Sequence, residues 1–147
     1  MITVRPVTTE AQAQWRDLWE GYLDFYGTAL TEEQTALTWA RFLDPVEPMG
    51  CLLAHDEAGR VLGFASYILH RSTWARQHYC YLEDLFVAQD ARGKGAGRAL
   101  IEAVAAQARE AGAGRLYWET RQDNAQGRAL YDRLAVLTDF VQYRMPL

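Results

Sequence analysis

The sequence predicts a mixed α/β domain built around one sheet, and three observations carry the prediction. Half of the 147 residues are hydrophobic and 12% are aromatic, which is enough to bury a core without disulfide or metal staples. Apolar periodicity switches between strand-like and helix-like along the chain, in the order strand, two helices, three strands, helix, strand, helix, strand. A glycine-rich loop joins a buried strand directly to a strong helix.

Each element has a local reason. Ile2 to Val7 alternates weakly and is read as a first strand. Thr9 with Gln12 fits a capping box, and Trp15, Leu18, Trp19, Tyr22, Phe25 and Tyr26 recur at helical spacing up to a stop at Gly27. Thr31 with Gln34 forms a second capping box. Leu37, Ala40 and Leu43 then share one side of a helix that Pro45 ends. Cys51–His55 and Val61–His70 flank the turn residues Asp56-Glu57-Ala58-Gly59 and predict a hairpin. Tyr79–Val87 reads as a buried strand, Arg98–Ala111 as a helix and Arg115–Thr120 as a short strand. Asp123 or Asn124 caps a helix reaching Leu134, and Thr138–Met145 is expected to be a last strand. No repeat or linker divides the chain, so one domain is expected over residues 1–147.

Composition excludes several classes. The net charge of −4 argues against nucleic-acid binding, which draws its affinity from neutralising phosphates. No apolar run is long enough to cross a membrane, and the N-terminus lacks the apolar stretch of a signal peptide. Cys51 and Cys80 make no disulfide framework, and no Cys/His spacing suits zinc, so no metal and a reducing, cytoplasmic setting are expected.

The sharpest motif is Arg92-Gly93-Lys94-Gly95-Ala96-Gly97. Glycines let main chain approach a ligand, and the following helix start offers unpaired N–H groups and a positive dipole end. With Arg92, Lys94 and Arg98 added, the segment suits a pyrophosphate. It is not a P-loop, because no Gly-Lys-Ser/Thr closes it, and it is not the dinucleotide fingerprint, because the third glycine falls at 97.

This loop resembles the Q/R-x-x-G-x-G/A motif of the GNAT superfamily of N-acetyltransferases. The strand Tyr81-Leu82-Glu83-Asp84-Leu85-Phe86-Val87 and the helix from Asn124 through Ala129-Leu130-Tyr131 are similar to that family as well, so the resemblance covers about residues 79 to 134. It implies a mostly antiparallel sheet of about six to seven strands with four helices, and a V-shaped opening between 81–87 and 115–120. Acetyl-CoA is the implied cosubstrate, its pantetheine on main-chain groups of Leu85, Phe86 and Val87 and its pyrophosphate on Arg92 to Gly97. Segments 22–26, 81–87 and 116–120 look most like the diamine/spermidine and fungal histone-and-polyamine acetyltransferases, which implies a small-molecule amine as acceptor.

Acetyl transfer needs a neutral amine. With an amine pKa near 10.4, only about one in a thousand molecules is uncharged near neutral pH, a deficit of about 4 kcal/mol that a base can reduce. Glu83 is the base that the resemblance implies, and Asp84 is a candidate for a distal ammonium. Strand alternation sends adjacent side chains to opposite faces, so only one of the two meets the cleft unless the strand is bulged. By the same resemblance, Tyr131 protonates the departing thiolate, and Asn124 contacts the cofactor arm besides capping its helix. A main-chain N–H near Phe86 or Val87 would hold the oxyanion if a bulge frees it. Tyr22 and Tyr26 belong either to the core or to the acceptor pocket, where aromatic faces hold ammonium groups. His55, His70 and His78 receive no role, and Cys80 is read as a buried strand residue.

The chain departs from the family after Leu130-Tyr131, where the usual glycine-phenylalanine pair is replaced by Asp132-Arg133-Leu134. A C-terminal strand there is expected to help build a homodimer, as in related acetyltransferases. Three alternatives stand beside small-amine acetylation: a protein lysine or N-terminal acetyltransferase, a regulatory domain that binds acyl-CoA without turnover, and a phosphate-binding loop with no CoA.

Overall fold

The structure is a computed structural model describing residues 1–147. Its elements are β1 (Thr3–Pro6), α1 (Gln12–Tyr26), α2 (Glu32–Leu43), β2 (Met49–His55), β3 (Val61–His70), β4 (His78–Val87), α3 (Ala96–Glu110), β5 (Ala113–Tyr117) and α4 (Ala125–Leu134). The five strands lie in the order β1-β2-β3-β4-β5. The first three pairings are antiparallel and the last is parallel, with α3 as the crossover. No helix is long and apolar enough to cross a membrane.

The central strands are apolar on both sides because each face is covered. On one face Leu52, Ala54, Leu62, Ala65, Cys80 and Leu82 pack under Leu100, Ile101, Val104 and Ala108 of α3. On the other, Cys51, Leu53 and Phe64 meet Trp15, Leu18 and Trp19 of α1 and Trp39 and Phe42 of α2. Neighbours such as Cys51 and Leu52 therefore serve opposite layers, as strand alternation requires. Each fully buried residue such as Leu100 is worth about 1.5–3 kcal/mol of apolar burial. Trp15 centres the second layer, with Trp19 and Trp39 at 5.2 and 5.1 Å.

Several boundaries differ from the sequence reading. Thr9–Ala11 forms a 3₁₀ turn, so the expected Thr9 cap is absent and α1 starts at Gln12. Thr31 does cap α2, accepting from the Gln34 N–H at 3.1 Å, but the Gln34 side chain turns to Thr38 and leaves the capping box half made. α3 starts at Ala96, two residues earlier than expected. β5 stops at Tyr117 instead of Thr120.

The largest difference is at the C-terminus. The sheet has five strands, not six or seven, and Thr138–Met145 forms none. Ala135 leaves α4 in an extended conformation, without a turn to fold the chain back along β5. Phe140, Val141 and Tyr143 are left 82%, 78% and 94% exposed. The segment touches the body of the protein through Gln142, whose amide donates to both Glu119 oxygens at 2.6 and 2.7 Å.

Parallel pairing of β4 with β5 runs from His78 to the Tyr81–Tyr117 pair, whereas β4 continues to Val87. The two strands share no pairing beyond that point, so one edge of the second half of β4 faces no strand. Its other edge is held tightly. A Cβ on Gly63 would sit 2.5 Å from the Phe86 carbonyl oxygen and 3.1 Å from Val87 Cα, both rigid backbone atoms. Gly63→Ala is therefore expected to cost about 1–3 kcal/mol by overpacking, read as a lower urea midpoint.

Candidate active site

The site is organised by an irregularity in β4. Its register against β3 shifts between Ser66–Asp84 and Tyr67–Leu82, which leaves Glu83 as the extra residue of a β-bulge. The packing shows the result. Leu82 and Leu85, three residues apart, both enter the layer under α3, and Phe86 enters the layer under α1. Asp84 consequently faces α1, where it accepts from the Ser66 hydroxyl and the Tyr22 hydroxyl. Glu83 is held on the same face by the Tyr81 hydroxyl. The bulge thus brings two adjacent carboxylates to one side of the sheet.

Their electrostatics follow from this crowding. Burial raises the Asp84 pKa, opposed by the hydrogen bonds from Ser66 and Tyr22. Glu83 reaches solvent along one side, yet partial burial first, then the Asp84 charge, raise its pKa, against a lowering contribution from the Tyr81 bond. Tyr22 and Tyr81 hydroxyls are both pushed up, by burial first and then by these carboxylates. Glu119 adds negative charge against Glu83, Tyr81 and Tyr117.

Aromatic side chains wall the cluster. Tyr22 meets Phe64 and Phe86 at 5.7 and 6.2 Å, and Tyr26 at 5.1 Å, so it belongs to both the core and the site. Tyr81 lies over Tyr117 at 4.9 Å. The Tyr117 hydroxyl is 2.6 Å from His70 Nε2, and His70 Nδ1 is 2.7 Å from the Arg71 carbonyl. A carbonyl only accepts, so Nδ1 carries a proton and donates to Arg71. Tyr131 packs edge-on against Trp118 at 5.5 Å, and burial, with the nearby Tyr26, raises its hydroxyl pKa. The Arg121 guanidinium lies 5.3 Å from the centre of the Tyr26 ring. Asn124 caps α4, accepting from the Gly127 N–H at 3.1 Å and donating to Thr120 Oγ1 at 2.9 Å.

The glycine loop sits at the far end of β4. Gly93 and Gly95 have φ of 79° and 91°, and nothing lies within 4 Å of where a Cβ on either would stand. Unlike α2 and α4, α3 has no side-chain cap. The Ala99 N–H bonds the Gly95 carbonyl, which leaves the N–H groups of the first turn, Ala96, Gly97 and Arg98, for a ligand. Ala96 is buried, so it can offer only its main chain. Arg98 is tied to Glu102 at 2.8 Å and Arg92 Nε to the Val87 carbonyl at 3.1 Å; Lys94 makes no ion pair. The Ala88 N–H bonds Leu62 of β3, so strand alternation turns the Leu85 and Val87 main-chain groups to the opposite edge, where Arg92 takes the Val87 carbonyl and no strand pairs, and the Phe86 N–H toward β3. These features fit a carrier with a diphosphate at α3 and an amide-bearing arm along β4.

Residues 13–135 match the acetyltransferase (GNAT) family model. The chain belongs to the GNAT acetyltransferase family. It is 38% identical, over 97% of its length and 89% of the relative's, to the D-amino-acid N-acetyltransferase HPA3 of Saccharomyces cerevisiae. An 88-residue stretch, 60% of the chain and 36% of the relative, is 35% identical to the L-ornithine N5-acetyltransferase NATA1 of Arabidopsis thaliana. A probable acetyltransferase of solved structure superposes with a TM-score of 0.86 at 26% identity, covering 99% of this chain and 97% of that one.

The GNAT fold brings most of the sequence-derived residues together. Tyr22, Tyr26, Glu83 and Asp84 share the α1 side of β4, Tyr131 packs with Trp118 against the α3 layer and lies near Tyr26, and Leu85, Val87 and the loop at 92–98 line the strand's end. Phe86 differs, since its ring packs on Tyr22 and Phe64 and its N–H faces β3. Sequence reasoning missed Ser66, Tyr81, Tyr117, Glu119 and His70. Glu119 had a signal, a carboxylate two residues past the end of β5. His70 had none, because its partner is 47 positions away.

A raised carboxyl pKa lowers stability as pH climbs from the unfolded value near 4 toward the folded one, because the native state holds the proton longer. Asp84→Asn keeps an acceptor for Ser66 and Tyr22 but cannot ionise. Relative to the parent, the variant should gain stability between about pH 4 and pH 7, read from urea midpoints at both; Glu83 adds to the gain, because the Asp84 charge that helps raise its pKa is gone.

Proposed function

We propose that this acetyltransferase transfers the acetyl group of acetyl-CoA directly to the primary amine of a small molecule, a di- or polyamine or a similar amine. The observation that carries the reading is the bulge at Glu83, which sets two carboxylates on one face of β4 where its pairing with β5 has ended. We read the space between the diverging strands as a V-shaped opening. Pantetheine would lie along the free main-chain edge of Leu85 and Val87, and the pyrophosphate would sit on the first-turn amides of α3 with Lys94 and Arg92 beside it. The named relatives acetylate amines of amino acids, which agrees with a small acceptor.

In this reading Glu83 takes the proton from the attacking ammonium, directly or through a water. Its raised pKa brings it closer to the working range of a general base. Asp84 holds Tyr22 in place through its two hydroxyl bonds and supplies negative charge behind the acceptor. Tyr22, Tyr26, Tyr81 and Tyr117 offer aromatic faces to a cation. As nitrogen bonds to the acetyl carbon, the carbonyl becomes an oxyanion that the outward-facing Val87 N–H can stabilise. The carbon–sulfur bond then breaks, Tyr131 O–H donates its proton to the departing thiolate, and the second proton lost by the nitrogen restores the tyrosine hydroxyl. Asn124 sets the start of α4 and so the position of Tyr131.

The electrostatics favour a small cationic acceptor over a lysine-bearing protein, because the carboxylates are ringed by aromatic side chains instead of lying on an open groove. A panel of diamines, polyamines, amino acids and lysine peptides tests this; turnover confined to peptides would reject it.

Glu83→Gln should lower kcat/KM by roughly 10²-fold or more at neutral pH, with the deficit shrinking as pH approaches about 10, where the free amine is abundant. A deficit that is constant with pH would remove Glu83 as base. Tyr131→Phe in the same assay should slow turnover by about 10²-fold without abolishing it, since a thiolate is a tolerable leaving group. Gly95→Val should weaken CoA binding in calorimetry by about tenfold or more, because φ of 91° strains a β-branched residue and its side chain stands where the diphosphate is read to lie. Unchanged affinity would move the diphosphate elsewhere.

A further inference from the structure

One cation in the acceptor wall is unexplained by the recognition of an amine. Arg121 follows the end of β5 and stacks over Tyr26, the ring that touches Tyr22 on one side and influences Tyr131 on the other. It takes part in none of the protein's ion pairs or side-chain hydrogen bonds. Only the arginines 16, 41, 60 and 98 are paired with carboxylates, and what sets Arg121 apart from the other unpaired arginines is its seat on a ring of the acceptor wall. A carboxylate partner is close in sequence, but Glu119 is occupied by Gln142, which donates to both of its oxygens. Arg121 is thereby left unneutralised, with its planar fork held by an aromatic face and its N–H groups unspent.

A site for purely cationic acceptors gains nothing from such a group, because a guanidinium repels a polyamine. A free guanidinium on Tyr26, whose neighbour Tyr22 bonds Asp84, instead sets a positive group across two aromatic rings from the carboxylates and matches a molecule bearing both signs. We propose that Arg121, seated on Tyr26, is the carboxylate-binding residue of the acceptor site, and that the preferred acceptor is a small zwitterion of the amino-acid class. The acceptor carboxylate takes the guanidinium fork through charge-assisted hydrogen bonds, while its amine points toward Glu83. This rests on the acetyl-transfer reading above and refines the acceptor within it.

The test uses matched pairs that differ only by the carboxylate: ornithine with 1,4-diaminobutane, and either enantiomer of alanine with ethylamine. Initial rates of thiol release give kcat/KM for each member with the parent enzyme and with Arg121→Gln and Arg121→Lys. The parent should prefer the acid in at least one pair. Arg121→Gln should cut that preference by roughly tenfold to a hundredfold, chiefly through KM, and Arg121→Lys should restore part of it. Circular dichroism and the KM for acetyl-CoA serve as controls for folding and for the cosubstrate site. A parent enzyme indifferent to the carboxylate overturns the proposal, as does a preference that survives Arg121→Gln. A change confined to the acetyl-CoA KM also overturns it, by assigning Arg121 to the cosubstrate. Absence of transfer to every acceptor, with CoA bound, rejects the transfer reading itself, whereas transfer to amines alone rejects only the zwitterion.

Discussion

Inserting one extra residue into β4 sets the arrangement of everything around it. Before Glu83 the strand is clamped between β3 and β5; after it, β3 alone holds the strand and the other edge is free. The bulge lets Leu85 keep its place under α3 and Phe86 its place under α1, so the core is satisfied on both sides of the irregularity. The polar residues absorb the offset. Glu83 and Asp84 therefore share a face that strand alternation alone would deny them, and Ser66, Tyr22 and Tyr81 supply the hydroxyls that make the crowding tolerable.

That crowding has chemical content. Two neighbouring carboxylates with restricted access to water hold their protons more tightly than free ones, and hydroxyl donors moderate the effect without cancelling it. The division between them is uneven. Asp84 is enclosed and satisfied by two donors, so it acts on its surroundings mainly as a fixed partner. Glu83 retains a route to solvent and a single hydroxyl partner, the situation expected of a group that exchanges protons. At the far end of the same strand, the uncapped start of α3 offers main-chain donors that no side chain of the protein has claimed. Two reactive provisions are thus mounted on one element, separated by a stretch of open edge.

The sequence made the strands, the four helices and the phosphate-type loop readable, because each has a local cause. The turn residues 56–59 between two apolar runs mark β2 and β3, Thr31 and Asn124 mark helix starts, and closely spaced glycines mark the loop. The bulge was not readable. Glu83-Asp84 in an apolar run looks like one residue in and one out, and only the pairing partner shows that both turn the same way. The C-terminal strand failed for the opposite reason. Thr138–Met145 has strand-like residues, but propensity does not supply a neighbour to pair with. The Tyr117–His70 bond and the position of Arg121 over Tyr26 depend on contacts between distant segments, which no window of sequence contains.

The offset in β4 also bears on how this protein can change. A single-residue deletion between Leu82 and Leu85 would restore regular pairing and leave Leu85 under α3 and Phe86 under α1, because two residues that share a layer are then two apart. Both apolar layers would survive it, and the loss would fall on the polar face, which would keep one acidic side chain of its two. Folding therefore does not demand the extra residue; only the doubled negative charge does.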